Sequence, residues 1–451
     1  MTTNIDQHHL SHLLEHELEK FRDGHPKSFA LFSQAQQSLF GGVPMSWMMK
    51  WAGRFPVFMR EAHGARVTDV DDQTYIDFCL GDTGAMTGHS PEASARAIVE
   101  QAARGITTML PTEDAVWVGN ELQKRFGLDF WQFTLTATDA NRFVVRIARE
   151  ITQRPKILVF NYCYHGTVDE TLIALHDGVP GPRGGNVGMP VNPTVTSKVV
   201  EFNDIDALRA ALEPRDVACV LAEPAMTNIG IVLPDAGYHD ALREITRATG
   251  TLLVIDETHT MSSGPGGYTR AHNLQPDILT VGKSIGGGMP AGAFGVTRAV
   301  AEKMFAREGA DYVDVGGVGG TLAGNALSLA AIRATLANVL TEENYARMIP
   351  LAARWTEGVA RVIETYNLPW HVTQLGCRAE YRFMPQPPRN GGEAAASHEE
   401  ALEQYMHLYA LNRGILMTPF HNMALMSPAT TASDVDYHSL VFGEAVAELV
   451  G

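Results

Sequence analysis

A chain of 451 residues, 45% of them hydrophobic and 42 of them glycine, is long enough for two or three structural units around a substantial core, and this composition excludes large-scale disorder. Its 35 basic residues against 51 acidic ones give a formal charge of −16, which argues against nonspecific attraction to nucleic acid or to an anionic membrane. Cys79, Cys163, Cys219 and Cys377 lie far apart with no Cys-x-x-Cys pair, so they indicate neither a zinc site nor a disulfide framework and read as buried small residues in a reducing, cytoplasmic setting.

From Met1 to Lys20 the chain is rich in His and Glu and lacks the apolar core of a targeting signal, and no apolar run approaches the roughly 18 residues of a membrane span. Leu10, Leu13, Leu14, Leu18 and Phe21 recur at helical spacing, which predicts a helix that either lies on a partner surface or stands solvated. Period two takes over in residues 65–78, whose Asp71-Asp72 centre predicts a hairpin turn in a small sheet. From about Pro91 to Ala331, predicted helices alternate with short apolar strands at 156–160, 218–222, 251–255, 278–281 and 293–296. That alternation predicts a mainly parallel sheet covered on both faces. A helical stretch at 323–338 follows, then a shift in composition through 369–382, a loop at 385–392 read as a flexible insertion, and a helical run over 397–412. These last segments read as a smaller C-terminal domain.

Ligands of such sheets bind at the carboxyl ends of strands, where Glu223, Asp256 and Lys283 fall. Gly282-Lys283-Ser284 looks like the end of a phosphate loop, but Asp277 stands where that loop needs its first glycine, the glycines follow the lysine, and the acidic strand comes first. The lysine and the acid fit pyridoxal chemistry instead: the aldehyde needs one lysine for a Schiff base, and the ring nitrogen needs a carboxylate to become an electron sink. Taken singly, Lys283 could be a surface lysine and Asp256 a strand-end cap. The run from Thr134 to Asn141 leads into a helical pattern over 142–151; it offers hydroxyls and free N–H groups to a phosphate, or simply an N-cap by Thr136 or Thr138. Tyr164-His165-Gly166 places an aromatic ring after a strand, to stack on a planar cofactor or to fill a core. The glycine cluster from Gly316 to Thr321 permits close backbone approach to a ligand or a subunit, or is a turn.

In order along the chain, these segments resemble the class III, fold-type I pyridoxal-phosphate aminotransferases, most closely their glutamate-1-semialdehyde aminomutase-like branch. The segments that carry the resemblance are Leu135 to Ala140, Tyr164 to Gly166, Glu223-Pro224, Asp256-Glu257-Thr258, Gly282 to Gly288 and Gly320 to Asn325. The resemblance implies an α/β fold with a mainly parallel seven-stranded sheet covered by helices, and a smaller α+β domain built from the N- and C-terminal segments. Residues 1–80 would be the N-terminal segment, 81–335 the large cofactor domain and 336–451 the C-terminal small domain. It further implies pyridoxal 5'-phosphate bound through Lys283, which also carries the proton, with Asp256 on the ring nitrogen. Thr136 and the N–H groups of Ala137 and Thr138 would hold the phosphate, Tyr164 would stack on the ring and Asn228 would approach its phenolic oxygen. His165, Glu223 and Thr258 would complete the cofactor site, and Thr321 would reach the phosphate of the neighbouring subunit of a homodimer.

The chain departs from the branch where substrate would bind. The branch has Gly-Gly-Val-Asn-Ser-Pro-Val-Arg, whose serine and arginine contact a substrate carboxylate; here the arginine position falls on Trp47 or Met48, and neither can make a bidentate contact. The Met- and Trp-rich run over 45–51 reads as an adaptable apolar wall for a bulkier amine, or as core or dimer contact. Asp82 and Arg378 are further candidate substrate contacts, with Arg382 and Lys50 as competitors for a carboxylate. The expectation is an aminotransferase that moves an amino group between small-molecule amines and carbonyl compounds by a ping-pong mechanism. An aminomutase or an amino-acid racemase is the alternative, and a noncatalytic cofactor-binding protein the third reading.

Overall fold

In the computed structural model, which describes residues 5–188 and 191–451, the apolar strands assemble into a seven-stranded sheet. Its strands are β1 (Phe130–Thr134), β2 (Lys156–Phe160), β3 (Ser197–Val200), β4 (Val217–Ala222), β5 (Leu252–Asp256), β6 (Ile278–Gly282) and β7 (Gly292–Val296), in the spatial order β1-β7-β6-β5-β4-β2-β3. Neighbours are parallel except at β7, which is antiparallel to both β6 and β1. The strands β4, β5 and β6 are buried along their whole length, because helices cover both faces. Successive residues divide between the two faces: Leu252 and Val254 pack with Phe143, Val144 and Ile147 of helix α1 (Ala137–Thr152), whereas Leu253 and Ile255 pack with Leu208, Leu212, Leu242 and Ile245.

This sheet belongs to the larger of two compact units, made of Glu92–Glu342 and Pro388–Ala396. The segment at 388–396 is fastened rather than loose, contrary to the flexible insertion expected there. Arg389 pairs with Asp235 at 2.5 Å, Asn203 Nδ2 donates to the Arg389 carbonyl at 2.8 Å, and the Gly392 N–H donates to Glu201 at 3.3 Å.

The smaller unit comprises Met1–Pro91, Glu343–Pro387 and Ser397–Gly451. The expected hairpin is there: Arg66–Asp69 and Thr74–Asp77 pair antiparallel, and Asp72 turns the chain with φ 70°. Residues 415–416 join the same sheet beside Thr74–Asp77, and a second sheet is formed by His371–Leu375, Arg378–Arg382 and Met423–Leu425. The first helix runs Gln7–Gly24, and its apolar stripe is spent within this unit: Leu10 and Phe21 are buried, Phe21 among Phe55, Tyr75, Leu408 and Leu411. Leu13, Leu14 and Leu18 of the same stripe are half-buried. All four cysteines are free and buried, and among the described residues no helix is long and apolar enough to cross a membrane.

Candidate active site

Parallel pairing sets Asp256 opposite Thr280, so β5 and β6 end at the same edge of the sheet with Asp256 closing one and Lys283 following the other. Lys283 takes φ 50°, a left-handed conformation uncommon for a residue with a side chain, between the end of β6 and the 3₁₀ turn it begins. Such strain persists only where its surroundings fix it, and it concentrates at functional sites.

Asp256 is 3% exposed, and both its oxygens are hydrogen-bonded: Oδ2 accepts from Asn141 Nδ2 at 2.8 Å and from His165 Nδ1 at 3.0 Å, and Oδ1 accepts from the Thr258 N–H at 3.1 Å. Burial favours the neutral acid, but His165, Thr258 and Asn141 together outweigh it and bring the carboxyl down to about 2. For buried His165, desolvation works toward the neutral ring, while Cys163 and the Asp256 carboxylate push its pKa up. Asn141 organises the cluster, since its Oδ1 also accepts from Thr280 at 2.7 Å and its Nδ2 reaches the His165 carbonyl at 3.1 Å. Sequence reading missed Asn141 as a site residue; its signal was a polar side chain within the otherwise apolar buried stripe of α1.

At the other end of the site, Thr136 caps α1: its Oγ1 accepts from the Asp139 N–H at 3.2 Å and donates to the Asp139 carboxylate at 3.0 Å. The N–H groups of Ala137 and Thr138 then lie in the first turn, where a helix has no partner for them. Gly166, at φ 80°, packs so closely that a Cβ there would fall 2.0 Å from Thr138 Oγ1, and a Cβ on Gly292 would fall 2.6 Å from the Thr136 carbonyl. Thr258 Oγ1 and His165 Nε2 are buried with no hydrogen-bond partner among the described residues. An amine, a carboxylate held ionised, unspent buried polar atoms and a helix start walled by glycine backbone make a donor set that fits pyridoxal phosphate.

The remaining cofactor candidates also fall in the larger unit. Tyr164 is half-buried beyond the end of β2; Glu223, just beyond β4, accepts from the Thr227 N–H at 3.1 Å; Asn228 Nδ2 donates to the Tyr162 carbonyl at 2.9 Å. Thr321 lies in an exposed turn. A further contact was not read from the sequence at all: His259 Nε2 stands 2.8 Å from Lys283 Nζ.

The four candidate substrate residues fall in the smaller unit. Trp47 sets its ring edge-on to Phe420 at 5.7 Å, and Lys50 sits 5.1 Å from the same ring. Met45, Met48 and Met49 are exposed, so they are not core. Arg378 is 1% exposed and meets Asp82 at 3.4 Å and Thr83 at 3.2 Å. Asp82 and Arg378 thus form one partly buried pair. Arg382 is held by Ser397 at 2.6 Å.

The profile of the class-III aminotransferases matches residues 47–442. Among solved structures, a glutamate-1-semialdehyde aminomutase from Pseudomonas aeruginosa PAO1 is 50% identical, with a TM-score of 0.96 and 99% of each chain covered. A variant of that enzyme has been solved in complex with PMP. A glutamate-1-semialdehyde 2,1-aminomutase from Opitutus terrae is 34% identical over 94% of this chain and 99% of its own length. A β-phenylalanine aminotransferase from Variovorax paradoxus superposes with a TM-score of 0.85 at 26% identity, with 97% of each chain covered.

Proposed function

The chain belongs to the class-III aminotransferases, pyridoxal-phosphate enzymes of fold type I, and from that premise we propose that it moves an amino group between neighbouring carbons of one small amino-aldehyde, as a glutamate-1-semialdehyde 2,1-aminomutase does. The observation that carries this reading is the 50% identity to the Pseudomonas aminomutase across 99% of both chains. The comparisons therefore favour the aminomutase alternative over the aminotransferase expected from the sequence.

In this reaction the amino group leaves C2 for C1 while the oxygen passes from C1 to C2, so neither an oxidant nor a reductant is consumed. When bound, pyridoxal phosphate supplies the electron sink that makes the hydrogen beside the amino group acidic. Lys283 is the residue that would anchor it, and Lys283 Nζ removes the hydrogen at one carbon and returns it at the other. Asp256, kept ionised by Asn141, His165 and Thr258, would hold the ring nitrogen protonated. The N–H groups of Ala137 and Thr138 would bind the phosphate, and Tyr164 would cover the ring.

A second reading, transfer between two different substrates, is favoured by one observation: residues 45–51 contain no arginine and expose Met45, Met48 and Met49 instead. Incubation of the loaded enzyme with glutamate-1-semialdehyde and no acceptor separates the two. An aminomutase converts many equivalents per site into the isomer with its amino group on C1. An aminotransferase stops after about one equivalent and resumes only when a keto acid is added.

The working form in this reading is a cytoplasmic homodimer, with Thr321 of each subunit reaching the other's phosphate. Support comes from Ile106, Met109, Leu110, Val313, Val315 and Leu322, all exposed on the larger unit, and from four free, buried cysteines.

A further inference from the structure

The register that brings Asp256 opposite Thr280 has a second effect three residues on. Both chains have left the sheet at the same edge by then, and His259 from one faces Lys283 from the other, with Nε2 and Nζ 2.8 Å apart. We propose that His259 is the proton partner and positioning residue of Lys283: it orients the free amine and takes up its surplus proton.

Two acids of the same strand end have their own donors: Asp256 accepts from Asn141, His165 and Thr258, and Glu257 accepts from Thr260, Tyr268 and Thr269. An imidazole differs from a carboxylate in what it offers the lysine. A carboxylate would fix an ammonium ion in a salt bridge, whereas a ring nitrogen both accepts from an ammonium and donates to an amine. The contact therefore survives the movement of the proton. In that movement an N–H bond at Nζ breaks and one at Nε2 forms, the Nζ lone pair is freed, and the Nδ1-protonated tautomer of the ring, the one that can accept at Nε2, becomes an imidazolium. The reverse transfer rearms the lysine as an acid, and nothing else is consumed. His259 and Lys283 are each half-buried, so the exchange takes place at the wall of the site rather than in bulk water.

This inference rests on Lys283 being the reactive lysine of the proposed function. That reading fails by itself if Lys283→Ala retains the visible absorbance of the loaded enzyme together with its turnover. His259 is tested on the full-length, cofactor-free protein by trace acetylation with acetic anhydride near neutral pH, with the label on the Lys283 peptide measured by mass spectrometry against the other lysines. Labelling of Lys283 is expected to slow by about tenfold in both His259→Ala and His259→Gln, because glutamine reaches the amine but accepts no proton. In the loaded enzyme kcat falls in both variants with little change in KM. Unchanged labelling in either variant overturns the proposal: unchanged in His259→Ala, the contact does nothing; restored in His259→Gln, it is a brace and not a proton partner. If His259→Ala fails to fold, as labelling of the remaining lysines reveals, His259→Gln alone decides.

Discussion

Asp256 is kept charged where burial alone would neutralise it, and that single fact explains much of the site. Its carboxyl is brought down to about 2, below its ordinary value of 3.8. Its contribution to stability is therefore complete above about pH 4 and fades as the pH falls toward 2. Asp256→Asn removes the charge opposite a ring nitrogen and leaves His165 without its counter-ion. We expect kcat to fall by about 10²–10³-fold, the scale of other preorganised electrostatic contacts in water-poor sites, measured in steady state on protein shown to be loaded. Asn141→Ala empties two partnerships at once, leaving Thr280 Oγ1 without its acceptor and Asp256 without one donor. The expected loss is about 1–3 kcal/mol of unfolding free energy, read from the urea midpoint. The sequence showed Lys283 and Asp256 because each closes an apolar strand. Asn141 and His259 were hidden because their meaning depends on contacts with residues far along the chain, which no local pattern reveals.

At the scale of elements, the strands that could be read were those buried on both faces. Residues 156–160 match β2, and the other four expected strands differ from β4, β5, β6 and β7 by a residue or so at their ends. The edge strands β1 and β3 escaped, since Phe130–Thr134 alternates exposed and half-buried positions and Ser197–Val200 is only four residues long. The last helix, Ala432–Val450, carries a cost that composition does not show. His438 is 3% exposed among the rings of Phe78, Trp355 and Phe442, its Nδ1 has no hydrogen-bond partner among the described residues, and desolvation pushes its pKa down to about 3. With the folded value below the unfolded one of 6.5, the unfolded chain binds the extra proton, so the penalty appears as the pH falls below 6.5 and saturates near 3. Each pH unit in that window is worth about 1.4 kcal/mol. His438→Phe is expected to hold or raise the thermal midpoint at pH 7 and to flatten its decline between pH 6.5 and 4; an unchanged slope would show that other groups drive the acid sensitivity.

At the scale of the whole molecule, the alternation of strands and helices made the α/β class readable, and family resemblance supplied the cofactor. The smaller unit was harder to read, because its sheets pair strands from opposite ends of the chain, as when residues 415–416 join Thr74–Asp77. Likewise the segment at 388–396 returns to the larger unit through hydrogen bonds that its loop-like composition conceals. If the exposed apolar residues of the larger unit meet their counterparts in a second copy, light scattering will report twice the 49.1 kDa chain mass, and Leu110→Asp will shift the mass toward the monomer and weaken cofactor retention. A wild-type chain that stays at the monomer mass when fully loaded would remove Thr321 from the cofactor site.

The proposed chemistry rests on the identity of one lysine. Reduction of the loaded enzyme with borohydride, followed by digestion and mass spectrometry, fixes the cofactor to whichever side chain holds it. One pyridoxyl group per chain is expected on the peptide that contains Lys283, and none in Lys283→Ala; a label on any other lysine, or a fully labelled Lys283→Ala protein, would overturn the role given to Lys283.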